Sequence, residues 1–127
     1  MFKRVSYDQI YDAHVFIFSI HSVRSIFKTF GFDLIDAIKQ KTHGGSMRYV
    51  IARSGERKIN KKIYKIINYE KKLKLNKISS CLKFKKNCEL SKKKFIKKIM
   101  FYKRKGKSIA GYAASAKSST VFNYCNI

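Results

Sequence analysis

The stretch with the clearest chemical potential joins a histidine, two adjacent glycines, a hydroxyl and an arginine. It reads Lys41-Thr42-His43-Gly44-Gly45-Ser46-Met47-Arg48. Strand-like apolar runs flank it at residues 32–38 and 49–52. Adjacent glycines between two such runs indicate a hairpin whose backbone needs positive φ or approaches another group closely. Taken alone, this pattern is more often a plain polar turn than a binding site.

A second candidate site is a turn of small residues near the end of the sequence. The sequence predicts a strand at Ser108–Tyr112, a turn at Ala113–Ser118 and a helix from Ser119 onward. A small-residue turn entering a helix presents backbone N–H groups and a positive dipole end to an anion. Lys117 would add a point charge for a phosphate. An ordinary tight turn explains the same residues at least as well.

The elements before the first stretch would position it. Residues 5–19 indicate a loop with a short strand, and the apolar run Val15–Ile20 is interpreted as a buried strand or core loop. Ser19 or Ser22 can cap the helix that follows, and Gly31 can end it. Apolar residues at helical spacing mark one face of this helix: Val23, Ile26, Phe27 and Phe30.

Antiparallel strands are then predicted at about 32–38 and 47–52, followed by a boundary at 54–57. A lysine-rich amphipathic helix is predicted from Lys58 to about Lys74. The secondary structure of residues 79–87 cannot be predicted from the sequence pattern. Ser91 is predicted to cap a second helix that ends at Lys105-Gly106.

The charge balance is extreme, with 30 basic residues against 7 acidic ones and a net charge of +23. An anionic partner such as nucleic acid or a membrane surface would explain it. The excess is mostly lysine and the chain has no proline, which favours the compositional bias of an A+T-rich genome instead. No apolar run reaches the length of a membrane span, so no membrane partner is expected. Three cysteines without metal-ligand spacing predict free thiols, no metal site and a reducing, cytoplasmic location.

Three motifs in order resemble the sugar-nucleotide C-methyltransferase family, the mycarose- and tetronitrose-type 3-C-methyltransferases. Tyr11-Asp12-Ala13-His14 is similar to the family's Tyr-His-Glu-His. The stretch from His43 to Arg48 is similar to His-Gly-Gly-Ser-Leu-Arg, and the stretch from Gly111 to Lys117 to Gly-Tyr-Gly-Ala-Ser-Ala-Lys. The resemblance covers nearly the whole chain, and the order of the three motifs makes it fairly specific.

The resemblance implies an α/β fold in three parts. Residues 1–55 would end a Rossmann-like S-adenosylmethionine (SAM) domain with a helix and an antiparallel strand pair. Residues 56–105 would form a lysine-rich helical linker, and residues 106–127 the first βα unit of a second Rossmann-like domain that binds the sugar nucleotide. The family's cysteine-rich zinc domain and its glycine-rich SAM loop have no counterpart here. We therefore expect a fragment that does not transfer methyl groups by itself.

The family reaction removes a proton beside the 4-keto group of a nucleotide-linked deoxysugar, and the enolate then attacks the methyl group of SAM. By resemblance, His14 is the base, and Tyr11 orients the substrate or stabilises the enolate oxygen. His43 and Arg48 would contact substrate near the domain junction, and Ser115 and Lys117 would lie near the diphosphate. Without the resemblance, a partly buried histidine with a structural role would be the better interpretation of His14.

Two departures from the family pattern bear on activity. Asp12-Ala13 replaces the family's His-Glu, so the carboxylate beside the base is missing. Ala113 replaces a glycine, which limits close backbone approach. Two alternatives remain open: a small basic nucleic-acid-binding module, and a non-catalytic partner of a separately encoded N-terminal half.

Overall fold

The computed structural model describes residues 1–42, 45–112 and 114–127, which combine helices with one antiparallel strand pair. The described elements are the 3-10 helices Phe2–Arg4 and Tyr7–Gln9, the helices α1 (Ile20–Thr29), α2 (Lys61–Lys72), α3 (Ile78–Arg104) and α4 (Ala116–Cys125), and the strands β1 (Phe32–Gln40) and β2 (Ser46–Arg53). Two compact units result: Ile17–Lys77, and Met1–Phe16 with Ile78–Ile127. The predicted α/β composition is confirmed; its Rossmann-like character and the domain boundaries stay predictions.

Helix α1 begins and ends where its local sequence predicts. The Ser19 side chain accepts a hydrogen bond from the Ser22 backbone N–H at 3.0 Å, and the Ser22 hydroxyl oxygen accepts from the Ser19 N–H at 2.9 Å. This reciprocal cap satisfies two N–H groups that would otherwise lack partners. Gly31 follows the helix at a φ of +77°, the left-handed conformation that favours glycine.

The two strands form the predicted antiparallel pair and are each slightly longer than expected. Their register runs from Phe32 opposite Arg53 to Gln40 opposite Ser46, with an irregularity between Leu34 and Asp36. At the turn, the N–H of Gly45 donates to the Thr42 carbonyl at 2.9 Å, and Gly45 has a φ of +121°. His43 and Gly44 lie outside the described residues.

The core of the unit Ile17–Lys77 lies where α1 and α2 pack on β1. Its buried residues are Ile20, Val23, Leu34, Ala37, Ile63 and Ile67. Helix α2 confirms the predicted lysine-rich helix and is capped by Asn60, whose side chain accepts from the Lys62 N–H at 3.0 Å. Glu70 near its end accepts hydrogen bonds from the N–H groups of Ile20 and His21 at 2.8 and 3.0 Å. Side chains from the three elements therefore hold this unit together.

In the other unit, the predicted start of the second lysine-rich helix is wrong. Helix α3 begins at Ile78, so the undetermined residues 79–87 are helical and Ser91 lies inside the helix instead of capping it. The part that was missed contains the buried side chains Phe84 and Cys88, which are four residues apart. Because most helical stability in proteins comes from tertiary packing and not from local propensity, the local sequence did not reveal this part of the helix.

Two strand predictions are also wrong. Ser108–Tyr112 forms neither strand nor helix, so the predicted βα unit is not formed, and α4 begins at Ala116 instead of Ser119. A strand needs a hydrogen-bonded neighbour, and the described strands pair only with each other. Residues 5–19 contain a 3-10 helix and no strand. Val15 and Phe16 are 76% and 73% exposed, which contradicts a buried run. None of the described helices is long and apolar enough to span a membrane.

Candidate functional site

Tyr11 and His14 form a contacting pair in a tight turn after the 3-10 helix Tyr7–Gln9. The Tyr11 hydroxyl lies 2.9 Å from Nε2 of His14, and the two ring centroids are 4.1 Å apart at 33°. The backbone N–H of His14 donates to the Tyr11 carbonyl at 2.8 Å, which closes the turn. Both side chains are half-buried. The structure therefore brings together the two residues predicted to be catalytic.

The carbonyl of Gln9 determines which nitrogen of the His14 ring can act as a base. It lies 2.8 Å from Nδ1, and because a carbonyl can only accept, Nδ1 carries the proton of the neutral ring. Nε2 is then the unprotonated nitrogen and accepts from the Tyr11 hydroxyl. The arrangement can move a proton between Tyr11, His14 and a group placed against them.

No carboxylate in the described part of the chain orients this ring. Asp12 is exposed, and both ring nitrogens of His14 already have partners in Tyr11 and Gln9. A backbone carbonyl thus takes the position that a carboxylate often holds beside a catalytic histidine. The partners of the two ring nitrogens are thus Tyr11 and Gln9, and Asp12 is neither of them.

Ser115 caps the N-terminus of α4, and Lys117 lies in the first turn of that helix. The Ser115 side chain accepts from the Ser118 N–H at 3.3 Å, and the two hydroxyl groups are 3.1 Å apart. The cap therefore already uses one of the N–H groups that the anion-site prediction assigned to a diphosphate. Lys117 is half-buried in this turn. Ala113, the departure from the family's glycine, lies outside the described residues.

The remaining predicted substrate residues fall elsewhere in the chain. Arg48 lies on β2 opposite Ile38, with its side chain exposed, and belongs to the unit Ile17–Lys77. His43 lies outside the described residues, so its predicted role remains untested. The other described site residues belong to the unit formed by Met1–Phe16 and Ile78–Ile127; they are Tyr11, His14, Ser115 and Lys117.

A partly buried cluster that the sequence did not predict joins the Tyr7–Gln9 helix to α4. The Tyr7 hydroxyl is 3.8 Å from the Cys125 thiol, and the Tyr7 and Tyr124 rings are 4.9 Å apart. Tyr124 donates a hydrogen bond to the Glu89 carboxylate. A cavity of about 280 Å³ adjoins the cluster, lined by Tyr7, Ile10, Phe84, Lys85, Cys88, Thr120 and Tyr124.

The pKa values of three groups in this cluster are raised. Burial and the contact with Cys125 raise the pKa of Tyr7 to about 12. The hydrogen bond to Glu89 raises the pKa of Tyr124, and burial raises the pKa of the Cys88 thiol. Protonated phenols and thiols are poor nucleophiles, so the cluster anchors the Tyr7–Gln9 helix to α4. No local signal reveals it, because Tyr7 and Cys125 are 118 residues apart.

Comparison with protein families matches residues 41–127 to the C-methyltransferase C-terminal domain. The match spans more than half of the chain and includes Arg48, Ser115 and Lys117, whereas Tyr11 and His14 precede it. No curated protein matches the chain.

Proposed function

Because the chain belongs to the family of C-methyltransferase C-terminal domains, we propose that it is part of a SAM-dependent enzyme that methylates a nucleotide-linked 4-keto-deoxysugar. The resemblance of its three motifs supports the sugar substrate. The observation that carries the proposal is the Tyr11–His14 pair, whose ring tautomer is fixed by Gln9.

The proposed role of the pair is to form an enolate. A keto group acidifies the C–H bond on the neighbouring carbon, and a base near neutral pKa can remove that proton. The substrate carbon takes the place of the Tyr11 hydroxyl against Nε2 of His14, which accepts the proton. The electrons of the C–H bond move onto the keto oxygen, and Tyr11 donates a hydrogen bond to the resulting enolate oxygen.

The other predicted residues are proposed to hold the substrate. Lys117 would supply positive charge to the diphosphate at the N-terminus of α4, with Ser115 beside it. Arg48 and His43 would contact the sugar nucleotide from the segment around the hairpin turn. These assignments come from the family motifs.

The described residues do not fit SAM itself. A Rossmann-type cofactor site needs a strand, a glycine-rich loop and a helix in succession. Strand β1 is followed by the hairpin turn and not by a helix. The connection from β2 to α2 has a single glycine, Gly55, and no atom lies within 4 Å of the position that a Cβ would take there. No set of three metal-ligating side chains occurs in the described part of the chain either. The cofactor is therefore proposed to bind outside these residues.

Proton exchange tests the proposal without the cofactor. The purified chain is incubated in D₂O with a nucleotide-linked 4-keto-deoxysugar, and NMR follows the proton beside the keto group. We expect accelerated exchange that falls by about 10²-fold or more in His14→Gln and roughly tenfold in Tyr11→Phe. His21→Gln, which changes an exposed histidine on α1, is the matched control and should exchange like the parent.

Equal exchange rates in the parent and in His14→Gln would reject His14 as the base. Calorimetry with SAM addresses the other half of the proposal, because the chain alone should not bind the cofactor at micromolar concentration. Micromolar binding would show that the cofactor site lies in this chain after all.

A further inference from the structure

Helix α3 carries an exposed surface that the proposed function does not use. Its apolar members are Ile96, Met100 and Phe101, of which Met100 and Phe101 are 44% and 49% exposed. Its basic members, all exposed, are Lys93, Lys97 and Arg104, which lie on the same side of the helix because three to four residues separate neighbouring members of the row 93, 97, 100 and 104. We call this set the α3 surface.

The α3 surface carries apolar and basic side chains alternating along one side of the helix. An open groove of about 400 Å³ runs along it, lined by Lys93, Ile96, Lys97, Met100, Phe101 and Arg104. Residues 91–107 contain nine basic side chains and no acidic one. The ion pairs in the described part of the chain, Lys28–Asp33 and Lys62–Asp36, lie in the other unit. The charge of this surface is therefore not neutralised within its own helix.

We propose that the α3 surface binds an anionic phospholipid membrane, with the helix lying in the interface. Such helices place aromatic and aliphatic side chains at the acyl boundary while lysines contact the headgroups. Lysine suits this role because its aliphatic stem covers apolar surface while its ammonium reaches the phosphate layer. Lysines close to a membrane surface are attracted to its anionic lipids. This proposal departs from the expectation of no membrane partner, which rested on the absence of a run of spanning length and attributed the excess lysine to base composition.

Other occupants satisfy only part of the surface. A nucleic acid backbone would meet the cations but leave Met100 and Phe101 in water, and this surface has a single arginine for forked contacts to bases. A second copy of the chain would bring the same +23 charge and be repelled. An anionic bilayer accepts the cations and the apolar side chains together.

Vesicle sedimentation of the full chain tests the proposal at physiological ionic strength. We expect binding to vesicles of equimolar phosphatidylcholine and phosphatidylglycerol, and none to phosphatidylcholine alone. The double variant Met100→Gln, Phe101→Gln keeps every charge and should bind about tenfold more weakly or worse. The matched control is Ile78→Gln, Leu82→Gln, which removes two exposed apolar side chains from the other end of α3 and should bind like the parent.

Tryptophan fluorescence distinguishes insertion into the bilayer from attraction by charge alone. Because the chain has no tryptophan, a single introduced one reports on its own position. Phe101→Trp should shift its emission to shorter wavelength on the anionic vesicles. Tyr64→Trp, at a similarly exposed position on lysine-rich α2, should not. Circular dichroism verifies that each variant keeps the helix content of the parent.

Several results would overturn the proposal. One is equal binding of the parent and the Met100→Gln, Phe101→Gln variant, which would show that charge alone accounts for the binding. Another is unchanged emission from the tryptophan at position 101. A third is displacement of the protein from the vesicles by duplex DNA at physiological ionic strength, which would assign the surface to nucleic acid.

Discussion

His14 shows how a backbone group can orient a candidate catalytic side chain. The Gln9 carbonyl holds Nδ1 in its protonated form and so directs Nε2 at Tyr11. A carboxylate in that position would also stabilise the protonated ring by its full negative charge, which a neutral carbonyl does not do. The carbonyl therefore fixes the ring orientation without the charge that a carboxylate would add, which lowers the expected driving force for proton removal.

Tyr7 makes stability depend on pH in the alkaline range. Its pKa is raised from 10.0 to about 12, so folding favours the neutral phenol. This contribution is fully present below pH 10 and is lost as pH rises through 12. We expect the denaturant midpoint to fall between pH 10 and 12 more steeply in the parent than in Tyr7→Phe, as measured by circular dichroism.

The control for this pH dependence is Tyr64→Phe, which changes an exposed tyrosine and should fall as steeply as the parent. Lysines also lose their charge in this range, but their number is the same in all three proteins. If Tyr7→Phe and the parent showed the same slope, ionisation of the half-buried Tyr7 phenol would not be coupled to folding.

At the level of elements, α1 depends on a side chain from a helix far along the chain. Both carboxylate oxygens of Glu70 accept from the first N–H groups of α1, at Ile20 and His21. Ser19 and Ser22 complete the cap. A negative charge at a helix N-terminus also interacts favourably with the helix dipole. Glu70 therefore both caps α1 and ties it to α2.

Glu70→Ala should lower the free energy of unfolding by roughly 1 to 2 kcal/mol, because it leaves two helix N–H groups without their partner. Alanine is the better helix former, so the loss cannot come from the helix propensity of α2. Urea denaturation followed by circular dichroism measures it. Glu56→Ala, at an exposed position, should change stability by less than about 0.5 kcal/mol. Equal effects of the two substitutions would contradict the capping role.

For the whole molecule, the main physical fact is uncompensated positive charge. Seven acidic residues face thirty basic ones, and several carboxylates are engaged in specific contacts. The hydrogen bond from Lys28 lowers the pKa of Asp33, and that from Lys62 lowers the pKa of Asp36. These pairs lie at the surface, with the lysines exposed and the aspartates half-buried, and contribute little, whereas repulsion among the remaining lysines opposes the compact state throughout the chain.

Salt should therefore stabilise the protein. Raising sodium chloride from about 10 mM to about 150 mM shortens the Debye length from roughly 30 Å to 8 Å and screens the repulsion. We expect the Tm to rise by a few degrees in differential scanning calorimetry. Glucose at matched osmolality is the control and should produce a smaller change. A Tm that falls with salt would show that attractive ion pairs outweigh the repulsion.

Much of the unit Ile17–Lys77 could be predicted from the sequence, and less of the other unit. The cap at Ser19, the end of α1 at Gly31, the antiparallel strands and α2 are confirmed. The start of α3, the strand at 108–112 and the burial of 15–18 were wrong. The candidate site was predicted from motif resemblance, and neither the Gln9 contact nor the Tyr7 cluster had a signal in the sequence.

The physical reason for this division is the range of the interactions. The Ser19 cap, the end of α1 at Gly31 and the turn at Gly45 are decided by hydrogen bonds and steric limits within a few residues, so the sequence alone determined them, together with the net charge. Burial and long-range partners depend on which distant element covers a side chain. Glu70 contacts α1 across 49 and 50 residues, and Tyr7 contacts Cys125 across 118. Only the tertiary structure decided these contacts, because no local pattern encodes the distance between segments that meet after folding.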